Sequence, residues 1–237
     1  MKMESIDGVS RADGKHEDNP NGESGSWEDR RSLLARIVAG AIHRLYRGFA
    51  GESSPHARAA LSRLRRAAGK RPEDDLMAWS ELFEQVLPEF PERLLGRGNS
   101  PSRSESGAFA AITLYALHQQ SQNSNMHKDH RAFAEVMGEF AQRSESKSIK
   151  PRFDALLTAS TFEAMLYHLR TLIPLLASQQ KLGFDTAFDY GQLANDLARL
   201  QSPQYRSGIL LRWGREFARG YLVQRRDNKV EQQKDFK

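Results

Sequence analysis

The chain has 237 residues, enough for one large domain or two small ones, and its 39% hydrophobic and 27% charged residues are typical of a soluble globular protein. No apolar run approaches the roughly 20 residues that a membrane-spanning helix needs. The N-terminus lacks the apolar segment of a secretory signal. The absence of cysteine excludes disulfides, thiolate metal sites and cysteine nucleophiles. We therefore expect a cytoplasmic protein that does not bind membranes.

The positive charge is unevenly distributed along the chain. The net charge is +5, but residues 1–30 hold four basic and eight acidic side chains, so residues 31–237 carry +9. A basic surplus of this kind favours an anionic partner, and nucleic acid is the first candidate.

Apolar residues recur at three- and four-residue steps from Ser26 onward, which predicts a series of helices. Residues 1–25 are rich in Gly, Ser, Asp, Asn and Glu and predict a disordered acidic tail. Ser26 is the expected N-cap of the first helix, and Ser54-Pro55, Asp189 and Ser202-Pro203 are start signals of later ones. The expected helices cover about residues 26–46, 55–68, 76–87, 106–120, 131–142, 153–159, 160–178 (capped by Ser160), 189–200 and 203 onward.

A polar, Ser-rich stretch, "RSESKSIKP" at residues 143–151, predicts a domain boundary. Alternating apolar and polar runs of strand length are missing. The sequence therefore predicts an all-α protein of about nine helices in two small bundles, an N-terminal one at residues 26–145 and a C-terminal one at residues 151–230.

The sequence offers no group of residues that resembles a catalytic centre, so we expect no enzymatic activity and no cofactor. His127, Asp129 and His130 lie in a polar segment that could hold a metal, but the spacing favours a solvated loop without one. His118 is expected to bond the last carbonyl groups of its helix. His168 is expected to be half-buried and hydrogen-bonded.

Basic residues cluster on two of the predicted helices, with almost no acidic residue four positions away. Such clusters either form a solvated face or bind phosphates, and the sequence leaves the two interpretations about equal. The candidate nucleic-acid-binding residues are Arg58, Arg63, Arg65, Arg66, Lys70 and Arg71 on the second helix, and Arg212, Arg215 and Arg219 on the last.

Six segments in the same order resemble the CasB family, the small subunit of the type I-E CRISPR surveillance complex (Cascade). They are "ARAALSRLRRAAGKRPED" (57–74), "LYALHQQSQ" (114–122), "RFDALLTAS" (152–160), "YHLRTLIPLL" (167–176), "DYGQLANDLARL" (189–200) and "LRWGREFARGYL" (211–222). The acidic tail and the loop expected at residues 96–106 lie outside this pattern.

The resemblance implies an all-helical, two-domain subunit without catalysis, present as two copies beside guide RNA, backbone subunits and one large subunit. Its basic residues are then expected to hold the R-loop, particularly the displaced single DNA strand. The alternatives are a protein–protein scaffold without nucleic-acid contact, a sequence-specific DNA-binding regulator, and, least favoured, a nuclease.

Overall fold

The computed structural model describes residues 32–51, 55–144 and 147–234, with side chains as far as Val223. The described residues form nine α-helices and no strand, apart from one isolated bridge between His127 and Phe188. The all-α prediction is confirmed. The helices are α1 Leu33–Ala50, α2 Pro55–Arg66, α3 Leu76–Glu81, α4 Arg103–His118, α5 Phe133–Arg143, α6 Ile149–Thr158, α7 Phe162–Gln180, α8 Tyr190–Leu200 and α9 Pro203–Lys234.

Side-chain caps set where most of these helices begin. The Ser32 hydroxyl accepts the Ala35 N–H and starts α1, while the expected cap, Ser26, lies outside the described residues. Asp189 accepts the N–H of Gln192 at 2.9 Å and starts α8, as predicted. Besides the start of α6, which lies at Ile149 and not at residue 153, two expected starts are wrong. Helix α7 is capped by Thr161 and not by Ser160.

The second wrong start concerns α4, which begins at Arg103, within the loop that the sequence predicted at residues 96–106. A capping box explains the earlier start. The Ser102 hydroxyl accepts the N–H of Glu105 at 3.0 Å, and the Glu105 carboxylate accepts the N–H of Ser102 at 2.6 Å. Ser102 and Glu105 lie in a segment without apolar periodicity. Because the prediction relied on that periodicity, it placed the start of α4 too late.

Helix α4 forms the centre of the molecule. Nearly all its residues from Gly107 to Ala116 are buried, because the helix is apolar all round and contacts α1, α2, α7 and α8. The outer helices bury one face each. In α2, for example, Ala60, Leu61 and Leu64 face the core, so its basic residues point away from it.

Helices on the two sides of the expected domain boundary pack against one another. Helix α5 lies along α9, and α4 lies along α8, so the described residues form one compact unit with a continuous apolar core. Aromatic rings pack between α5, α6 and α9, where the centroids of the stacked Phe153 and Phe217 rings are 4.5 Å apart. This shared core argues against separate folding of the two halves, and the division into two bundles stays a prediction.

Two glycines allow α5 and α9 to approach closely. A Cβ atom on Gly138 of α5 would overlap the carbonyl group of Phe217, and one on Gly220 of α9 would overlap the carbonyl group of Glu135. The backbones are therefore in direct contact at this crossing. Along the described part of the chain, no helix is both long enough and apolar enough to span a membrane.

Candidate nucleic-acid interface

The basic residues of α2 lie on its outer face because the apolar positions hold the opposite face against the core. Arg58 and Arg66 are exposed, and Arg65 is half-buried at the edge of that face. Helix α2 ends at Arg66, and Gly69, with φ of +83°, turns the chain toward a short helical turn at Pro72–Asp74. The turn places Lys70 and Arg71 beside the end of α2.

Three of the predicted α2-region cations have acidic partners on the same chain. The Arg63 Nε lies 2.7 Å from Glu81, and the Lys70 Nζ lies 2.8 Å from Asp75, whose pKa is lowered chiefly by that hydrogen bond. Arg71 lies 3.4 Å from Asp74. The expectation of unpaired basic clusters is wrong for these residues, because their partners lie outside α2 in the turn and helix that follow it.

The basic residues of α9 are also partly paired. The buried Asp196 of α8 accepts a hydrogen bond of 2.8 Å from the Trp213 indole and one of 2.5 Å from Arg212. Arg212 also lies 3.7 Å from Glu216, a carboxyl group whose pKa is raised by burial. Arg212 therefore compensates buried negative charge, which gives it a structural role. Arg219 lies 4.0 Å from Glu135 and is more loosely held.

Four of the nine predicted residues remain without an acidic partner within 4 Å among the described residues. They are Arg58, Arg65 and Arg66 on α2, and Arg215 on α9. These arginines are the strongest candidates for binding an external anion, because no acidic side chain of the described residues lies within 4 Å of them, although Arg66 interacts with Asp75 from farther away.

A groove of about 490 Å³ lies between α1, α2 and α3, next to the exposed face of α2. Arg44, His56 and Arg63 contribute to its lining, and Glu81 is the acidic residue among the lining side chains. The sequence reasoning missed Arg44 because that residue belongs to α1, and only the packing of α1 against α2 brings it beside the basic helix.

The histidine segment between α4 and α5 differs from the expected solvated loop. The His127 side chain is buried, and it meets His43 of α1 and Asp129, with ligand atoms within 4.8 Å of one another. His130 is exposed and is not part of this cluster. The sequence could not indicate His43, which is 84 residues away along the chain.

The hydrogen bonds of His127 argue against a metal in this cluster. Its Nδ1 accepts the N–H of Tyr190 at 3.1 Å, so in the neutral ring Nε2 carries the proton. That Nε2 lies 3.3 Å from Asp129, which is the arrangement of a donor facing a carboxylate. A metal bound at Nε2 would displace this proton, which in a neutral ring would have to move to Nδ1. Nδ1 could then no longer accept the N–H of Tyr190.

We therefore expect added Zn²⁺ to leave the melting temperature of the protein unchanged. The measurement is thermal unfolding with and without Zn²⁺, at a pH where histidine is neutral. A rise in melting temperature that His43→Ala abolishes would contradict this expectation, because it would show that the cluster binds the ion in spite of its hydrogen bonds.

His118 has a structural role, although its partners differ from those expected. Instead of bonding carbonyl groups of its own helix, its Nδ1 lies 3.0 Å from the Tyr190 hydroxyl and its Nε2 lies 3.1 Å from the Thr186 hydroxyl. Burial lowers the pKa of His118 to about 3. His168 is half-buried, as expected, beside the ring of Tyr167.

The fold defines an all-helical protein with basic residues on outer helix faces. The family model for CRISPR-associated protein Cse2 matches residues 60–217, more than half of the chain, and the chain belongs to this family. The solved structure of CasB from Thermobifida fusca is similar at 26% identity, with a TM-score of 0.61, and the match covers 78% of this chain and 98% of that one.

A chain of a solved CRISPR RNA-guided surveillance complex is similar at 20% identity, with a TM-score of 0.59, and the match covers 82% of this chain and 99% of that one. At this identity the likeness shows the fold. No curated protein matches the chain. The resemblance that the six sequence segments indicated is confirmed.

Proposed function

We propose that the chain is a non-catalytic subunit of an RNA-guided CRISPR surveillance complex (Cascade) that holds single-stranded nucleic acid in the R-loop through phosphate contacts. The main structural support is the exposed face of α2, where Arg58 and Arg66 have no acidic side chain within 4 Å among the described residues. Cse2 family membership and the likeness to a chain of a surveillance complex support the assembly. Guide pairing would read the sequence, and this subunit would contact the backbone.

The proposal includes the partners that the family resemblance implies. Two copies of the chain would lie beside the backbone subunits, the large subunit and the guide RNA, in the cytoplasm where such a complex meets invading DNA. Arg65 and Arg215 extend the set of candidate contacts. Arg63, Lys70, Arg71 and Arg212 would contribute less, because acidic neighbours already compensate their charge.

A salt titration tests the phosphate contacts. We expect the double variant Arg58→Ala/Arg66→Ala to bind single-stranded oligonucleotides more weakly, and to the same extent for every base sequence, since phosphates carry no base identity. The slope of log K against log salt should flatten by about 1.4, because each phosphate neutralised on a single strand contributes about 0.7. Fluorescence anisotropy at several salt concentrations measures both quantities.

A matched control removes one positive and one negative charge together, so the net charge of the protein stays the same. The double variant Arg63→Gln/Glu81→Gln deletes one ion pair, and it should leave the salt slope nearly unchanged. If Arg58→Ala/Arg66→Ala leaves both the slope and the affinity unchanged, these arginines form a solvated face and the proposal is wrong. Intact DNA binding combined with lost assembly would favour the protein–protein scaffold instead.

A further inference from the structure

The turn that follows α2 and the first half of α7 meet at a surface that we name the α2–α7 junction, formed by Gly69, Arg71, Glu163, Tyr167 and Arg170. The side-chain stem of Arg170 lies directly on Gly69, where a Cβ atom would be 2.6 Å from the Arg170 Cδ. The Arg170 guanidinium donates to the carbonyl oxygen of Ala68 at 2.5 Å. Helix α7 is therefore fixed against the turn that follows α2.

A second contact joins α7 to the same turn of the chain, two helical turns earlier along α7. The Arg71 Nη1 lies 3.8 Å from the Glu163 carboxylate. Glu163, Tyr167 and Arg170 are spaced by four and three residues, so they form one row along the helix surface. Tyr167 consequently lies between the two points at which α7 touches the end of α2.

Tyr167 is 63% exposed despite its position in this row. Its ring meets the His168 ring edge-on, with centroids 5.5 Å apart, and this contact leaves much of the ring accessible. A single exposed aromatic residue needs no explanation by itself. Here, however, Arg170 follows Tyr167 in the same row and Arg71 reaches that row at Glu163, and an accessible aromatic ring beside basic residues is the combination that single-stranded nucleic acids bind.

We propose that Tyr167 stacks on a base of the bound single strand, while Arg170 contacts an adjoining phosphate. Arg170 can do so because a guanidinium has five N–H donors, and the bond to Ala68 uses one nitrogen. Stacking tolerates any base, since every base has a π-face. This inference rests on the proposed function and names the residue that would bind the bases.

Two strands of equal length and charge separate stacking from phosphate binding: an oligothymidylate and the corresponding abasic oligonucleotide. We expect Tyr167→Ala to weaken oligothymidylate binding by about 5- to 150-fold, the range for loss of one base–aromatic stack, and to leave abasic binding unchanged. The salt slope should stay the same, because no phosphate contact is lost. Tyr167→Phe should retain the affinity of the unmodified chain.

Tyr205→Ala is the matched control, because Tyr205 is also exposed but its ring is already occupied by the Arg199 guanidinium, 4.3 Å from the ring centre. It should bind like the unmodified chain. Equal binding of oligothymidylate by Tyr167→Ala and the unmodified chain, or equal loss on both oligonucleotides, would overturn the stacking proposal alone. If the unmodified chain binds neither oligonucleotide at low salt, both this inference and the proposed function are wrong.

Discussion

Replacing Gly138 with alanine is expected to destabilise the fold by about 3 kcal/mol, the upper part of the range for overpacked sites. The added methyl group would overlap the carbonyl group of Phe217, and a backbone carbonyl cannot move aside as a flexible side chain can. The helices α5 and α9 would have to separate. For a chain of this size the melting temperature should fall by about 6–12 °C, which calorimetry or circular dichroism would measure.

Gly214→Ala is the matched control for this prediction. Gly214 lies in α9, as Gly220 does, but a Cβ atom there would meet nothing within 4 Å. Alanine should therefore stabilise the helix by up to about 1 kcal/mol. Gly220→Ala should resemble Gly138→Ala, since it would overlap the carbonyl group of Glu135. If Gly138→Ala were as stable as Gly214→Ala, the direct backbone contact between α5 and α9 would be refuted.

Acidification is expected to destabilise the protein through His118. The folded state lowers the pKa of this residue from 6.5 to about 3, so below pH 6.5 the unfolded chain binds a proton that the folded chain excludes. The contribution of His118 to the free energy of unfolding is constant above pH 6.5. Between pH 6.5 and about 3 the free energy of unfolding falls as the pH is lowered. The loss is about 1.4 kcal/mol per pH unit, or about 2 kcal/mol at pH 5. Urea unfolding at several pH values measures it.

His118→Gln separates this effect from other titrating groups. Glutamine retains donors and acceptors but does not titrate, so the variant should be less stable at neutral pH and less sensitive to pH between 6.5 and 5. A direct measurement on the unmodified protein is NMR of the imidazole nitrogens, which should show a neutral His118 ring at pH 5. A protonated ring in the folded protein at that pH would contradict the prediction.

Local signals in the sequence predicted most of the helices. Asp189 and the Ser202-Pro203 pair mark the starts of α8 and α9 correctly, because a cap acts on the backbone within a few residues. The four-residue spacing of apolar residues in α9 also predicts its buried face at Ile209, Trp213 and Phe217. Tyr205 is 40% exposed, because it lies in the first turn of α9 and packs on Arg199 instead of the core.

The sequence shows the charge partners of the candidate interface only in part, because some of them lie on other helices. Glu216 follows Arg212 by four positions and is visible in the sequence, whereas Asp196, the buried partner of Arg212, belongs to α8. Arg71 meets Glu163, which is 92 residues away along the chain. The sequence located the basic segments, and the packing of helices determined which of their cations remain available.

The pairing of α5 with α9 also constrains how the protein reaches its fold during synthesis. Phe217 follows Phe133 by 84 residues, and a ribosome adds roughly 5–20 residues per second. The apolar face of α5 therefore stays uncovered for about 4–17 s, until the facing part of α9 leaves the ribosome. Until then Phe133, Val136 and Phe140 lack the surface that covers them, and the nascent chain is exposed to aggregation and to chaperones. The apolar core is complete only after α9 has been synthesised.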